Sequence, residues 1–138
     1  MKLAAWFAPL CLLAAASGCA RFERISECTE LTQTVNEHMT ELDAVAKAKE
    51  SPQSFAKLAD GYEKLADEVA ALPVAKGAAS AQVAEYVGIL RSASKSSRET
   101  SAALKAGEKT DAQRKELDRL ARKDKLSAQK LDVYCQSP

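Results

Sequence analysis

Five side chains in this sequence carry chemistry that simple packing would leave unused: Cys11, Cys19, Cys28, Cys135 and His38. Catalysis or metal binding would require several of them to converge, and their spacing gives no such arrangement. There is no Cys-x-x-Cys pair to lower a thiol pKa and no Cys-x-x-Cys-His for haem attachment. His-Glu-x-x-His, Gly-x-Ser-x-Gly and a phosphate-binding glycine loop are also missing. His38 is followed by Met39. Neighbours on a helix point about 100° apart, so the two cannot meet on one ion. Met39 is expected in the core and His38 at its boundary. No catalytic residue, metal site or cofactor follows, and the chain reads as non-enzymatic.

The cysteines acquire meaning from the segments that carry them. Lys2 gives the amino end a positive charge, Leu3 to Ala16 is uncharged and largely apolar, and Ala14, Ala15, Ala16, Ser17 and Gly18 are small. Charged region, apolar region and small-residue cleavage site, in that order, make a secretory signal. The apolar run is about 14 residues, whereas a spanning helix needs roughly 20. Removal is therefore expected. Ala16-Ser17-Gly18-Cys19 resembles the lipobox of bacterial lipoproteins, although that family prefers Leu where this chain has Ala16. The resemblance covers only the first 19 residues. It implies a diacylglyceryl group on the Cys19 sulfur, cleavage just before Cys19, and acylation of the new amino group. Residues 1–18 would be the signal peptide and residues 19–138 the mature domain. The alternative is ordinary cleavage after Ala16, which leaves a soluble protein.

Lipidation also accounts for the cysteine count. Cys11 leaves with the signal and Cys19 carries lipid, so Cys28 and Cys135 remain as one possible pair. Ordinary cleavage would leave three cysteines and a spare thiol, which exported proteins usually avoid. Export leads to an oxidising compartment where a disulfide persists.

The mature chain is of single-domain size. The whole chain has 20 basic and 19 acidic residues. Losing Lys2 makes the two equal, which argues against nucleic acid as a partner. Trp6 is lost as well, leaving Phe22, Phe55, Tyr62, Tyr86 and Tyr134. Aromatics dominate pockets and interface hot spots, so their scarcity argues mildly against a large ligand cavity.

Good helix formers dominate the mature chain. Apolar positions from Ile25 through Cys28, Leu31, Val35, Met39, Leu42 and Val45 recur at steps of three or four, predicting a first helix over about 21–50. Ser51 and Pro52 end it and start the next, as N-cap and first helical residue. Phe55, Leu58, Tyr62, Leu65, Val69 and Leu72 mark the second helix, broken by Pro73 and Gly77. A third is expected over about 80–106, stopped by Gly107. A fourth begins after a Thr110–Gln113 capping box and turns Leu117, Leu120, Ala121, Ala128, Leu131 and Tyr134 inward. The expected fold is all-α, an antiparallel up-and-down four-helix bundle after a cleaved signal peptide. In such a bundle Cys28 and Cys135 meet only if the number of helices is even.

Two surfaces could hold a partner. One is the locally basic stretch with Arg114, Lys115, Arg119, Arg122 and Lys123. Its simpler reading is a solvated face laced by Arg114–Asp118 and Asp118–Arg122 pairs. The other is the run with Ser94, Ser97 and Ser101, read either as close helix packing or solvent exposure, or as a shallow groove.

The expected function is a small envelope lipoprotein, a helical adaptor or structural subunit held to the membrane by its lipid, with an envelope protein or the cell wall as partner. The alternative is a binding module for an envelope ligand such as peptidoglycan or lipid. By enteric-type sorting, Ala20 after the lipidated cysteine points to the outer membrane. With no Gly/Ser/Pro-rich tether, the Cys28–Cys135 end is expected near the membrane. Lys125 and Arg114 would stand about 15 and 30 Å further out.

Overall fold

The computed structural model describes residues 10–137, with side chains from residue 18 onward. Lys2 and the start of the expected apolar run lie outside the described residues. What is described is an all-α helical bundle: α1 (Leu10–Ala46), α2 (Pro52–Ala71), α3 (Ser80–Lys105) and α4 (Asp111–Gln136). A short 3-10 turn, Pro73–Lys76, joins α2 to α3. None of the helices among the described residues is long and apolar enough to cross a membrane.

Local chemistry accounts for the start of α2 and the end of α3. Ser51 caps α2: its hydroxyl accepts from the Ser54 amide, while its own amide donates to the Ser54 hydroxyl. This reciprocal box satisfies two otherwise orphaned donors, and Pro52 contributes a preset φ. Gly107 ends α3 at φ 70°, where a Cβ would be strained. There the Glu108 amide reaches the Ala103 carbonyl and the Gly107 amide the Leu104 carbonyl, the bonding pattern of a Schellman stop. The capping box expected at Thr110 does not form. Thr110 makes no side-chain cap; its hydroxyl instead accepts from Arg114 Nε at 2.9 Å.

The principal core joins α1, α2, α3 and the 3-10 turn, with Leu131 of α4 closing it. Leu65, Ala66, Val69 and Val74 have no exposed surface, and Val83, Tyr86 and Leu90 pack with them. Helix α3 is the hub. It packs most extensively on α2 and then on α4, α1 packs on α2, and α1 meets α4 only sparingly. Cys28 and Cys135 are disulfide-bonded, with Cα atoms 5.8 Å apart.

Three expectations need correction. Helix α1 begins by Leu10 rather than near Arg21 and ends at Ala46 rather than Glu50, so a continuous helical backbone runs through Gly18 and Cys19. His38 is buried at 7% exposure while Met39 is only partly buried. His38 shares the α2-facing stripe with Leu31 and Leu42, and its Nε2 lies 2.7 Å from Glu68 of α2. On α4, Leu120 and Leu131 are buried as expected, but Ala121 and Ala128 are exposed and Ser127 is buried instead. Because α4 packs on α3 and hardly on α1, its covered face is narrower than the apolar pattern suggested.

Candidate functional site

The serines of α3 are interior. Ser94, Ser97 and Ser101 are 1%, 0% and 5% exposed, so they do not form a surface groove. Their small size lets α3 lie close between two neighbours. Ser101 donates to the Pro52 carbonyl at the start of α2 at 2.7 Å, and Thr100 to the Ser96 carbonyl at 2.8 Å. Ser94, Ser97 and Ser127 have fully buried hydroxyls without hydrogen-bond partners among the described residues.

The basic stretch divides by environment. Arg114 does not pair with Asp118. Its two terminal nitrogens donate to the Glu50 carboxylate at 2.8 and 2.6 Å, which holds the Glu50 carboxyl below its usual range. The expected Asp118–Arg122 ion pair does not form among the described residues either, and Arg119 pairs with Glu116. Lys115, Arg122 and Lys123 are exposed. Lys123 borders a shallow groove between α3 and α4, formed with Glu85, Ile89, Leu126, Lys130 and Val133. Leu126 and Val133, 60% and 66% exposed, stand one heptad apart on the same side of α4.

Sequence reasoning missed a crevice between α1 and α4. Its two ends are clasped, by the Cys28–Cys135 bridge and by Arg114 with Glu50. Between the clasps the helices stand apart over two cavities. One, of about 230 Å³, is lined by Met39, Tyr62, Leu90, Leu117, Ala121 and Asp124 among others. The second, of about 180 Å³, lies nearer the disulfide against Leu31, Val35, Tyr86, Ala128 and Leu131. For scale, an apolar cavity of about 150 Å³ can hold benzene. The walls step by helical turns: Val35 to Met39 on α1, Asp124 to Ala128 on α4.

No family model matches this chain, nor does any curated protein or solved structure. Function must therefore be argued from the site alone.

Electrostatics mark the middle of the crevice. Burial raises the Asp124 carboxyl above its ordinary value of 3.8, and no basic residue forms an ion pair with it among the described residues. Burial also raises the Tyr62 and Tyr86 hydroxyls, with Asp124 adding to both shifts. Among the described residues no cluster of three or more His, Cys, Asp or Glu could hold a metal ion. Cys19 is exposed and unbonded.

The raised Asp124 value has a testable sign. A carboxyl easier to protonate folded than unfolded favours folding below the unfolded value, and that contribution is lost as pH rises through the folded value. At neutral pH the half-buried charge opposes folding. Asp124→Asn is therefore expected to melt higher than wild type at pH 7, with the difference vanishing below the ordinary carboxylate value. A melting series across that range checks it; a variant less stable at pH 7 would show that Asp124 has a stabilising partner.

Proposed function

We propose that the chain is a non-enzymatic envelope lipoprotein, cut before Cys19, lipidated on that residue, and acting as a helical adaptor or structural subunit. The helices are read as an antiparallel up-and-down bundle. Pairings between neighbours support this: Asp60 with Arg98 and Asp67 with Arg91 for α2 and α3, Glu85 with Lys130 and Ser96 with Gln113 for α3 and α4. In both sets the partner moves back along the next helix as the residue moves forward along its own: Asp60 to Asp67 against Arg98 to Arg91, and Glu85 to Ser96 against Lys130 to Gln113. The disulfide end then lies toward the membrane. Cys19 is nine residues before Cys28 on continuous helix, about 14 Å further along the axis, and Ala20 favours the outer membrane. Arg24 ties this end to the end of α4, its Nη1 donating to the Ser137 carbonyl at 3.1 Å and its guanidinium lying 5.1 Å from the centre of the Tyr134 ring.

The observation that carries the adaptor reading is the exposed Leu126–Val133 pair over the α3–α4 groove. Large apolar side chains left together in water mark interaction sites, and the heptad spacing suits a partner helix. Crosslinking in intact envelopes followed by capture is expected to recover a stable protein partner. Leu126→Asp with Val133→Asp should abolish that recovery while melting is unchanged. Retention on purified cell wall with no protein partner would contradict the adaptor and favour the second reading, a binding module for an envelope ligand such as peptidoglycan or lipid. The α1–α4 crevice supports that second reading.

A further inference from the structure

We propose that the outward seam of α4, with the α3–α4 groove beside it, docks an acidic amphipathic helix of another protein. Its apolar side chains would cover Leu126 and Val133, and its carboxylates would face Lys115, Arg122 and Lys123. This rests on the adaptor reading, whose partner it describes chemically, and is independent of the lipid anchor.

The seam follows from helix geometry. Positions 115, 119, 122, 126 and 133 are separated by steps of three, four or seven, so they lie on one side of α4, with 123 and 130 beside them. All of these side chains are exposed. At 1.5 Å per residue the stripe is about 27 Å long. Its half toward Cys135 is apolar, through Leu126 and Val133, and its other half is cationic. Leu126 and Val133 border a hollow of about 660 Å³ that Ile89 of α3 also lines. A concave strip with apolar anchors one heptad apart has the shape that receives the ridge of a helix.

Charge selects the occupant. Helix α4 carries its acids and bases on different sides. Asp118, Asp124 and Asp132 line the crevice hollows, and none of them pairs with the outward stripe. Arg119 and Lys130 on the stripe are already held by Glu116 and Glu85. Lys115, Arg122 and Lys123 form no ion pair among the described residues. Unpaired cations beside exposed apolar side chains match a helix of the opposite charge. Complementary potential speeds encounter and excludes like-charged partners, while burial of Leu126 and Val133 supplies affinity. A second copy of the chain fits less well, because its seam presents the same cations and its acids are paired or turned away. A bilayer is flat and would leave the groove unfilled.

The experiment titrates the isotopically labelled full chain, disulfide intact, with two synthetic helical peptides. Both carry the same leucine heptads; one has glutamates and the other lysines at the flanking positions. Amide shifts are followed by NMR. The expected result is saturable binding of the glutamate peptide, with shifts centred on Lys123, Leu126, Lys130 and Val133. The lysine peptide should bind at least about ten-fold more weakly. Arg122→Glu with Lys123→Glu should reverse that preference, and Leu126→Asp with Val133→Asp should abolish binding of both peptides. All four positions are exposed, and an otherwise unchanged amide spectrum shows that each variant is folded. Equal affinity for the two peptides, a preference that survives the charge reversal, or binding of neither peptide overturns the inference. A partner still captured from envelopes through Leu126 and Val133 would then leave the adaptor reading standing. Docking of the same face on phosphatidylglycerol vesicles without peptide selectivity also overturns it, in favour of a lipid surface. Self-association abolished by Leu126→Asp overturns it in favour of a second copy.

Discussion

Replacing Cys28 and Cys135 together by serine is expected to remove about 4.7 kcal/mol of stability. The bridge joins residues 107 apart, and in the chain-entropy model a loop of roughly 100 residues restricts the unfolded state by that amount. Domains of this size are stable by only about 5–15 kcal/mol in all. The loss should appear as a fall in melting temperature of about 15 °C or more. Replacing both cysteines avoids a lone thiol that could pair between molecules. The effect should also be local. Besides the bridge, the Arg24 contacts tie α1 to the end of α4, and Arg114 ties the start of α4 to Glu50 in the connection after α1. Hydrogen exchange should therefore accelerate first at the Cys28 end of α1 and the Cys135 end of α4, with α2 and α3 retaining protection. A variant melting within a few degrees of wild type would show that the bridge contributes little to the fold.

The second large effect is expected at Leu65→Ala, a loss of about 2–5 kcal/mol. Leu65 has no exposed surface and packs in the core joining α2 to α1 and α3. Removing three carbons there leaves a cavity that the rigid neighbours fill only in part. Leu126→Ala makes the matching control. Leu126 is 60% exposed, so its truncation should change stability by no more than about 0.5 kcal/mol. Denaturant midpoints with unchanged slopes report both values. Similar losses at the two positions would mean that Leu126 is covered in solution, for instance by a second copy of the chain.

The helices were legible because their signals are local. Ser51 and Pro52, Gly107, and the apolar steps of α2 each act within a few residues, and the structure places the corresponding boundaries at Pro52, Lys105 and Ala71. The disulfide was legible through a longer argument, by way of the lipobox resemblance and helix parity. What could not be read is what depends on how helices are spaced in three dimensions. The exchange of roles between His38 and Met39 follows from a modest rotation of α1 that periodicity cannot resolve. Arg114 had a plausible partner four residues away, but Glu50, sixty-four positions earlier, is presented to it with both oxygens free. The serines of α3 carried a usable signal, since small residues permit close approach of helices. They were compatible with packing or with a groove, and burial decides for packing.

The crevice left no mark in the sequence. Ala121 and Ala128 looked like inward positions, and Asp124 between them like one charge among many in a polar stretch. Because α4 meets α1 only sparingly, Ala121 and Asp124 border one hollow and Ala128 the other. Two of the five aromatics that follow Cys19 line the hollows, Tyr62 one and Tyr86 the other.

The anchor at Cys19 is the central claim, because it sets the orientation of the bundle and the compartment of any partner. Intact-mass analysis of the protein extracted from its native envelope tests it most directly. The account predicts a chain beginning at Cys19, bearing a diacylglyceryl thioether and an acylated amino terminus, with Cys28 and Cys135 bridged. A chain beginning at Ser17 and carrying no lipid would contradict it.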